Sequence, residues 1–274
     1  MNRRLVLIIA AVVLIALAGF VVINIKKGNK IPSTKEGGIS SSAAFSLLSQ
    51  AKDLEVKGNL LDAKARYQKL ISELPNSSEI MNWQKKVEDI NIKLLFSPTL
   101  TPGSVLYKIN PGDTLTKIAK EFKTTVDLIK KSNGLTDDKI LPGRKIKVWK
   151  APFSILIDKS QNSLILKSNE EFFKTYTVAT GMNNSTPVGT FKIVNKLLKP
   201  SWFKAGAVVP AGSPENILGS RWLGFDLSGY GIHGTSEPQN MGKQVTQGCI
   251  RMPNSDVEEL FTIVPIGTEV TIVD

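Results

Sequence analysis

The sequence predicts a multidomain chain in which helices and a small α+β module precede an all-β domain with one helix. Two observations support this prediction. Apolar residues repeat with a helical period over residues 44–77, whereas from Phe153 onward they alternate with polar residues, as in strands. Pro98, Pro102 and Gly103 separate the two regions, because proline and glycine end regular elements. About 120 residues follow Phe153, which is enough for an independent core.

An uncharged apolar run covers residues 5–23. The nineteen residues of this run would extend about 28 Å as a helix, close to the hydrocarbon thickness of a bilayer. We therefore predict a transmembrane anchor at residues 1–25. A cleaved signal peptide is the alternative, because Ala16-Leu17-Ala18 has the small-x-small pattern of a cleavage site. Residues 26–42 are rich in Ser, Gly and Lys and are predicted to be a flexible linker.

Residues 43–97 are predicted to form a helical spacer. Six of its residues resemble one tetratricopeptide repeat in type and offset: Leu47, Ala51, Gly58, Ala63, Tyr67 and Pro75. A further amphipathic helix is expected at about residues 78–95. Because a single repeat cannot bury a continuous core, a plain helical spacer and a repeat that binds a protein partner both stay open.

Residues 104–149 are predicted to form a small module with the order strand, helix, helix, strand. The helical face is expected to carry Leu115, Ile118, Ala119 and Phe122. Together with the Gly112-Asp113 turn and the later Pro142-Gly143, this pattern resembles a LysM domain. The resemblance implies binding to glycan that contains N-acetylglucosamine, with contacts from Gly112, Asp113, Thr114 and Leu141. Asp113 and Thr114 are expected to cap the first helix as well.

Residues 152–274 are predicted to form the all-β domain. Strands are expected at residues 154–158, 164–167, 172–178, 190–194 and 269–273. The one helix is predicted to begin with a capping box formed by Ser255 and Glu258. Residues 196–220 are expected to be either a lid or an irregular surface loop. Trp202 and Trp222 are expected either to line a groove or to lie in the core.

The single cysteine and the single histidine of the chain both lie in the β domain. Glycines flank His233 on both sides, and Gly248 directly precedes Cys249. A thiol attacks as its thiolate, and a nearby imidazole can supply the base that forms it. We therefore predict a nucleophile and its base. A buried cysteine beside a structural histidine is the alternative, which the flanking glycines disfavour because they leave backbone N–H groups free to bind an oxyanion.

The arrangement of His233-Gly234-Thr235 and Thr246-Gln247-Gly248-Cys249-Ile250-Arg251 resembles the active-site signature of L,D-transpeptidases of the YkuD type. Residues 186–191 and 265–268 extend the resemblance, while Gln247 stands where many members carry a histidine or another basic residue. The resemblance implies a β-sandwich with one helix. It also implies the following site residues: catalytic Cys249, His233 and Gly234, and substrate-binding Gly248, Arg251, Thr246 and Thr235.

This resemblance implies a specific chemistry. Cys249 would attack the carbonyl between the third residue of a peptidoglycan stem and its D-alanine, and a thioester would form. A side-chain amine of a neighbouring stem would then form a crosslink between two third residues. Hydrolysis of the thioester would make the enzyme an L,D-carboxypeptidase, and a decayed site would leave a non-catalytic wall-binding protein. The carbonyl of Gly234 would orient His233, with Asp226 and Glu237 as weaker candidates.

Arg251 has two interpretations, because its side chain could clamp a substrate carboxylate or hold the loop in shape. Other thiol enzymes fit the sequence less well. A papain-like protease has its cysteine before its histidine, and in a sortase the arginine lies well beyond the cysteine. A zinc site needs three or four ligands, so neither a metal nor another cofactor is expected.

The net charge of +11 is spread unevenly along the chain. Residues 101–150 carry 11 Lys or Arg against 5 Asp or Glu, whereas residues 151–274 carry 10 against 11. No pattern of interleaved aromatic and basic residues accompanies the charge, so nucleic acid is not expected as a partner. The expected partners are peptidoglycan stem peptides, glycan strands and, through the anchor, the membrane. The bulk of the chain is thus expected on the exported side of the cell envelope.

Overall fold

The computed structural model describes residues 39–204 and 206–274. It separates the described chain into a helical unit that ends at Leu94 and a larger unit, residues 95–274. The predicted anchor, residues 1–25, and most of the predicted linker lie outside the described residues. No helix in the described part of the chain is both long enough and apolar enough to cross a membrane.

The helical unit contains α1 (Ser41–Val56), α2 (Leu60–Glu73) and most of α3 (Ile80–Leu95). The hydroxyl of Ser40 accepts a hydrogen bond from the N–H of Ala43 at 3.2 Å, and this cap starts α1 at Ser41. The linker prediction, which extended to residue 42, is therefore wrong at its C-terminal end. Four residues of the repeat-like pattern lie in the buried core of this unit, namely Leu47, Ala51, Ala63 and Tyr67.

The small module has the predicted strand and helix order, with β1 (Ser104–Lys108), α4 (Leu115–Glu121), α5 (Val126–Asn133) and β2 (Lys145–Trp149). Strands β1 and β2 pair antiparallel over their full length. The predicted helical face is buried, because Leu115, Ile118 and Ala119 form a core with Ile146 and Val148 of β2. We call residues 104–149 the βααβ module.

The β domain, residues 152–274, is built from strands and one helix. The first strands are β3 (Phe153–Asp158), β4 (Ser163–Ser168), β5 (Glu171–Thr177), β6 (Thr180–Gly181) and β7 (Gly189–Leu198). The next are β8 (Trp202–Lys204), β9 (Ala207–Val209), β10 (Arg221–Phe225), β11 (Gly231–His233), β12 (Gln244–Thr246) and β13 (Ile250–Arg251). Helix α6 (Asn254–Ile263) and strand β14 (Glu269–Val273) complete the domain.

Eight of these strands form one sheet in the order β13-β11-β10-β7-β14-β3-β4-β5. The predicted sandwich would have two separate sheets, whereas here β7 joins both halves. Its first residues pair with β14 and its later residues pair with β10. Alternating residues of the strands, such as Ile155, Ile157, Val270 and Ile272, are buried, and α6 buries Val257 and Leu260. The predicted all-β body with one helix is therefore present.

The prediction of a capping box at the start of α6 is wrong. The helix begins at Asn254, with Pro253 at the N-cap position and no side-chain cap. The hydroxyl of Ser255 contacts its neighbour Asp256 at 3.3 Å instead of a helical N–H. Proline at this position pre-forms the extended backbone before the helix, so the helix can start without a capping side chain.

The segment at residues 196–220 is more regular than the sequence suggests. Strand β7 continues through Leu198, and β8 and β9 form a short antiparallel hairpin. Beyond the hairpin, the buried side chain of Asn216 donates to the carbonyl of Pro200 at 2.9 Å and accepts from the N–H of Leu218 at 2.9 Å. This part of the segment is thus held by hydrogen bonds between the Asn216 side chain and the backbone.

Candidate active site

Two adjacent strands bring the cysteine and the histidine together. Strands β11 and β13 run parallel, and His233 pairs with Arg251 in their register. Cys249 directly precedes β13 and therefore lies level with Gly231, which is two residues before His233. Because side chains alternate along a strand, Cys249 and His233 project from the same face of neighbouring strands. The glycines and strand pairings around them thus place a thiol and an imidazole in one site.

His233 is buried and hydrogen-bonded through one ring nitrogen. Its Nδ1 lies 2.7 Å from the carbonyl oxygen of Gly234, and its ring stacks on Trp222 with centroids 5.9 Å apart. Burial lowers the pKa of His233 to about 4, so the ring is neutral near pH 7. A neutral ring that donates from Nδ1 carries its lone pair on Nε2. That nitrogen is available to accept a proton.

The weaker candidates for orienting His233 have other partners. The carboxylate of Asp226 accepts from the N–H of Lys192 at 2.9 Å. The carboxylate of Glu237 accepts from the guanidinium of Arg251, also at 2.9 Å. The Gly234 carbonyl is therefore the group that contacts the imidazole nitrogen in this structure.

Cys249 is partly exposed, and its sulfur donates to the carbonyl of Gly229 at 3.4 Å. Burial raises the pKa of this thiol, while a backbone hydrogen bond from Gly231 and the charge of Arg251 lower it. Because the first effect is the largest, the thiol is neutral at rest. Attack on a carbonyl therefore requires a base at the moment of reaction rather than a preformed thiolate.

Arg251 pairs with His233 in the register of β13 and β11 and forms an ion pair with Glu237, with 2.9 Å between Nη1 and Oε2. The arginine side chain is only 9% exposed, whereas the glutamate is 48% exposed. The hydroxyl of Thr235 accepts from the N–H of Glu237 at 2.8 Å, which adds a second bond to the same loop. This environment supports the interpretation that Arg251 holds the loop in shape. The positive charge of Arg251 also disfavours protonation of His233.

The backbone before Cys249 is fixed by two threonines. The hydroxyl of Thr246 accepts from the N–H of Gly248 at 3.2 Å and donates to the carbonyl of Cys249 at 2.6 Å. The hydroxyl of Thr186 accepts from the N–H of Gly181 at 2.8 Å and donates to the carbonyl of Gly248 at 2.9 Å. In the sequence, Thr186 is recognisable only as part of a motif, which does not indicate its contact with the cysteine loop. The Thr-Pro motif at residues 186–187 was the only signal.

Gly248 cannot carry a side chain in this conformation. Its φ is +132°, and a Cβ atom here would lie 2.7 Å from the Tyr230 ring and 3.0 Å from the Ser185 carbonyl. The loop therefore packs tightly against the residues that precede β11. The N–H of Gly248 is already bound by Thr246, so it differs from the free oxyanion donor that the sequence suggested.

Trp222 belongs to the site, while Trp202 lies in the β8–β9 hairpin. The indole of Trp222 faces the imidazole of His233 and donates from Nε1 to the side chain of Asn195 at 3.0 Å. Trp202 pairs with Val209 across the hairpin. Trp222 therefore lies directly beside the candidate base.

The predicted glycan contacts lie on two segments that meet at the edge of the βααβ module. Ile109 joins the segments, because it donates to Arg144 at 2.9 Å and accepts from Gly143 at 2.8 Å. The side chain of Leu141 is 70% exposed beside this junction. Thr114 caps α4 by accepting from the N–H of Lys117 at 3.2 Å. The structure thus brings residues 112–114 and Leu141 to one edge.

Asp113 does not cap α4, and that part of the prediction is wrong. Its carboxylate accepts from the N–H of Asn110 at 2.7 Å and from the hydroxyl of Tyr107 at 2.8 Å. These two bonds lower the pKa of Asp113, with the Asn110 bond as the larger cause. The carboxylate is engaged by the turn that precedes it, so it cannot also face the helical N–H groups.

Comparisons with known proteins agree with this organisation. A family model described as the L,D-transpeptidase catalytic domain, YkuD, matches residues 152–272, and a LysM domain model matches residues 107–149. The chain is similar to the YkuD protein of Bacillus licheniformis, which is named as an L,D-transpeptidase. The two are 36% identical over 176 residues, which cover 61% of this chain and 98% of that protein. YqjB of Bacillus subtilis, named likewise, is 40% identical over 126 residues, 44% of this chain and 70% of its own.

Proposed function

Because the chain belongs to the YkuD family of L,D-transpeptidases, it is an acyltransferase of peptidoglycan, and we propose that Cys249 is its nucleophile and His233 its base. The observation that carries this proposal is the register of β11 and β13, which sets the two side chains on one face. The neutral imidazole, bound through Nδ1 to Gly234, then presents Nε2 as the proton acceptor.

The acylation step follows from these positions. The thiol leaves its resting contact with Gly229 and transfers its proton to Nε2 of His233 as the sulfur attacks the donor carbonyl. That carbonyl joins the third residue of a stem peptide to D-alanine. The N–H of Cys249 stabilises the oxyanion, because the N–H of Gly248 is bound by Thr246. The C–N bond then breaks, His233 returns the proton to the leaving amine, and a thioester remains.

The acceptor step reverses the direction of proton transfer. A side-chain amine of a second stem attacks the thioester carbonyl, and His233 removes a proton from that amine. The C–S bond breaks, the thiolate regains its proton, and an amide joins two third residues.

We propose that the LysM domain holds the glycan strand while the catalytic domain reacts with its stems. The LysM and L,D-transpeptidase domains both fit peptidoglycan as the partner. Gly112, Asp113, Thr114 and Leu141 supply the glycan contacts, and Arg251, Thr235 and Thr246 shape the peptide site.

Both domains act on the cell wall, so the working part of the chain is exported. We further propose that the apolar run at residues 5–23 attaches the protein to the membrane and that residues 43–97 act as a spacer. An anchor of this kind would keep the enzyme within reach of newly made wall.

A purified muropeptide with a tetrapeptide stem tests the catalytic proposal. Incubated with the full-length protein, it should lose D-alanine, and mass spectrometry should detect a thioester adduct on Cys249 and a crosslinked dimer. Cys249→Ala should give none of these products. Turnover in Cys249→Ala equal to that of the wild type would overturn the proposal, and an adduct that only hydrolyses would make the enzyme a carboxypeptidase.

A further inference from the structure

Asn254 starts helix α6 five positions after Cys249, yet its side chain turns away from the helix. Its Oδ1 accepts from the N–H of Ser220 at 3.0 Å and from the N–H of Thr235 at 3.2 Å. Its Nδ2 donates to the carbonyl of Thr235 at 2.9 Å. One amide therefore ties the chain that enters β10 to the chain that leaves β11.

Two glycines make room for this amide. A Cβ atom on Gly234 would lie 2.1 Å from Oδ1 of Asn254, and a Cβ atom on Gly219 would lie 2.3 Å from it. Neither distance is possible for real atoms, so both positions must lack a side chain while Asn254 occupies this place. The packing is therefore specific to the asparagine side chain and to the backbone around it.

The N–H that Asn254 binds belongs to the peptide group that orients His233. The carbonyl of Gly234 and the N–H of Thr235 form one planar peptide unit. That carbonyl accepts from Nδ1 of His233 at 2.7 Å, while the N–H on the other side donates to Asn254. Fixing one end of a rigid plane fixes the other end, and hydrogen bonds in series polarise each other.

We propose that Asn254 is a positioning residue that sets the imidazole tautomer through the peptide between Gly234 and Thr235. It does not touch the reacting atoms. It takes the part that a side-chain carboxylate plays in many catalytic triads, but it acts through a backbone carbonyl and adds no charge. The inference rests on the proposed pairing of Cys249 with His233.

Asparagine suits this part better than aspartate. Its amide accepts twice and donates once, which satisfies both the N–H and the carbonyl of Thr235. A carboxylate in the same place would keep the two accepted bonds, lose the donated bond and leave the Thr235 carbonyl without it. It would also place a negative charge near the peptide that contacts His233.

The chain offers a closely matched control in the LysM domain. Oδ1 of Asn133 accepts from the N–H of Lys147 at 2.7 Å, and its Nδ2 donates to the carbonyl of the same residue at 2.8 Å. This amide therefore binds one residue's backbone N–H and carbonyl, as Asn254 does with Thr235, but outside the catalytic domain. Asn133→Ala should lower the unfolding free energy by about as much as Asn254→Ala does, without any change in the tautomer of His233.

The test compares full-length wild type, Asn254→Ala, Asn254→Asp and Asn133→Ala on a soluble stem peptide, with rates corrected for the folded fraction. We expect Asn254→Ala to lower kcat by about tenfold to a hundredfold with KM within about twofold, since misplacement of a catalytic group acts mainly on kcat. The kcat of Asn254→Asp should lie between those of wild type and Asn254→Ala, and Asn133→Ala should keep the wild-type kcat.

A second readout uses the single histidine of the chain, whose ring nitrogens can be observed by NMR after ¹⁵N-histidine labelling. Wild type and Asn133→Ala should show the Nδ1–H tautomer, and Asn254→Ala should show a mixture. Wild-type kcat together with an unchanged tautomer in folded Asn254→Ala would overturn the inference. If Cys249→Ala is inactive in the same experiment, the proposed nucleophile stands regardless of this result.

Discussion

Burial gives the single histidine of this chain an unusual acid–base behaviour. Removal of the ring from water disfavours its charged form and lowers its pKa to about 4, against an ordinary value of 6.5. The hydrogen bond to Gly234 opposes this effect but is the smaller cause. His233 therefore stays neutral, with Nε2 free to accept a proton, well into the acidic range.

The depressed pKa of His233 predicts that acid destabilises the fold. Between pH 6.5 and 4 the unfolded chain binds a proton that the folded chain does not, so the unfolding free energy falls as pH decreases. The contribution is present in full above pH 6.5, and about 3 kcal/mol of it is lost by pH 4. Urea unfolding at several pH values between 7 and 4 measures this loss.

His233→Gln is the control for this pH dependence, because glutamine does not titrate. Carboxylates also change charge in this range, but they do so equally in both proteins. The difference between wild type and His233→Gln therefore isolates the imidazole. Parallel curves for the two proteins would contradict the prediction.

Gly248→Ala should damage the loop that carries the nucleophile. The new Cβ would require both an unfavourable φ of +132° and contact at 2.7 Å with the Tyr230 ring. We expect a loss of about 2 kcal/mol or more in unfolding free energy and a kcat at least tenfold lower. Calorimetry and the muropeptide assay measure the two effects.

Gly58→Ala separates backbone strain from steric contact. Gly58 has a φ of +74°, but a Cβ there would meet nothing within 4 Å. The unfolding free energy of this variant should fall by about 1 kcal/mol from backbone strain alone, and the variant should keep full activity. Equal losses of unfolding free energy in Gly58→Ala and Gly248→Ala would show that contact with the Tyr230 ring does not affect stability.

At the scale of elements, strands with strict alternation could be predicted and short ones could not. Strands β3, β4 and β14 lie within a residue of their predicted positions, because their buried side chains alternate with less buried ones. Strand β5 also lies within a residue of its predicted position, although its buried residues, Phe173 and Tyr176, are three apart. The sequence does not predict β10 to β13, the strands around the site. They have only two to five residues and contain Gly224 and Gly231, so no run was long enough to show a period.

Some residues of the candidate site could be predicted from the sequence, and others could not. The thiol, the imidazole and their glycines could be predicted, because residue type and spacing identify them. The contributions of Asn254 and Thr186 could not, because both act through backbone groups that are distant in sequence. No periodicity or spacing rule reports which N–H a side chain will bind after folding.

The ion pair between Arg251 and Glu237 links strand β13 to the loop after β11. Glu237→Gln removes the charge that compensates a buried guanidinium, so we expect a loss of about 1–2 kcal/mol in unfolding free energy, reduced by the partial exposure of the carboxylate. Turnover should fall as well, because this loop includes the residues next to His233. Urea unfolding and the muropeptide assay measure both.

Glu215→Gln provides the reference for this change, since Glu215 is exposed in the loop after β9. The same loss of charge there should alter stability by less than about 0.5 kcal/mol. If Glu237→Gln behaved like Glu215→Gln, the ion pair would have no part in holding the site.

At the scale of the whole molecule, the LysM and catalytic domains belong to one compact unit, residues 95–274. The hydroxyl of Thr125 accepts from the N–H of Leu128 at 2.9 Å, which caps α5, and donates to the carbonyl of Thr262 in α6 at 2.5 Å. A single side chain therefore supports a helix of the LysM domain and its contact with the catalytic domain.

Thr125→Val should weaken this unit. Valine keeps the shape of the threonine side chain but loses both hydrogen bonds. We expect the unfolding free energy to fall by about 1–2 kcal/mol and the melting temperature by a few degrees. Thr125→Ser retains the hydroxyl and should melt close to the wild type. An unchanged melting temperature in Thr125→Val would show that the bond to Thr262 contributes nothing.

The central place of β14 in the sheet has a consequence for biogenesis. This strand is made after every other strand of the domain, yet it lies between β7 and β3 and pairs with both. Before its synthesis, the edges of β7 and β3 that pair with β14 have no partner strand. The centre of the sheet can therefore close only after the last strand of the domain has been made.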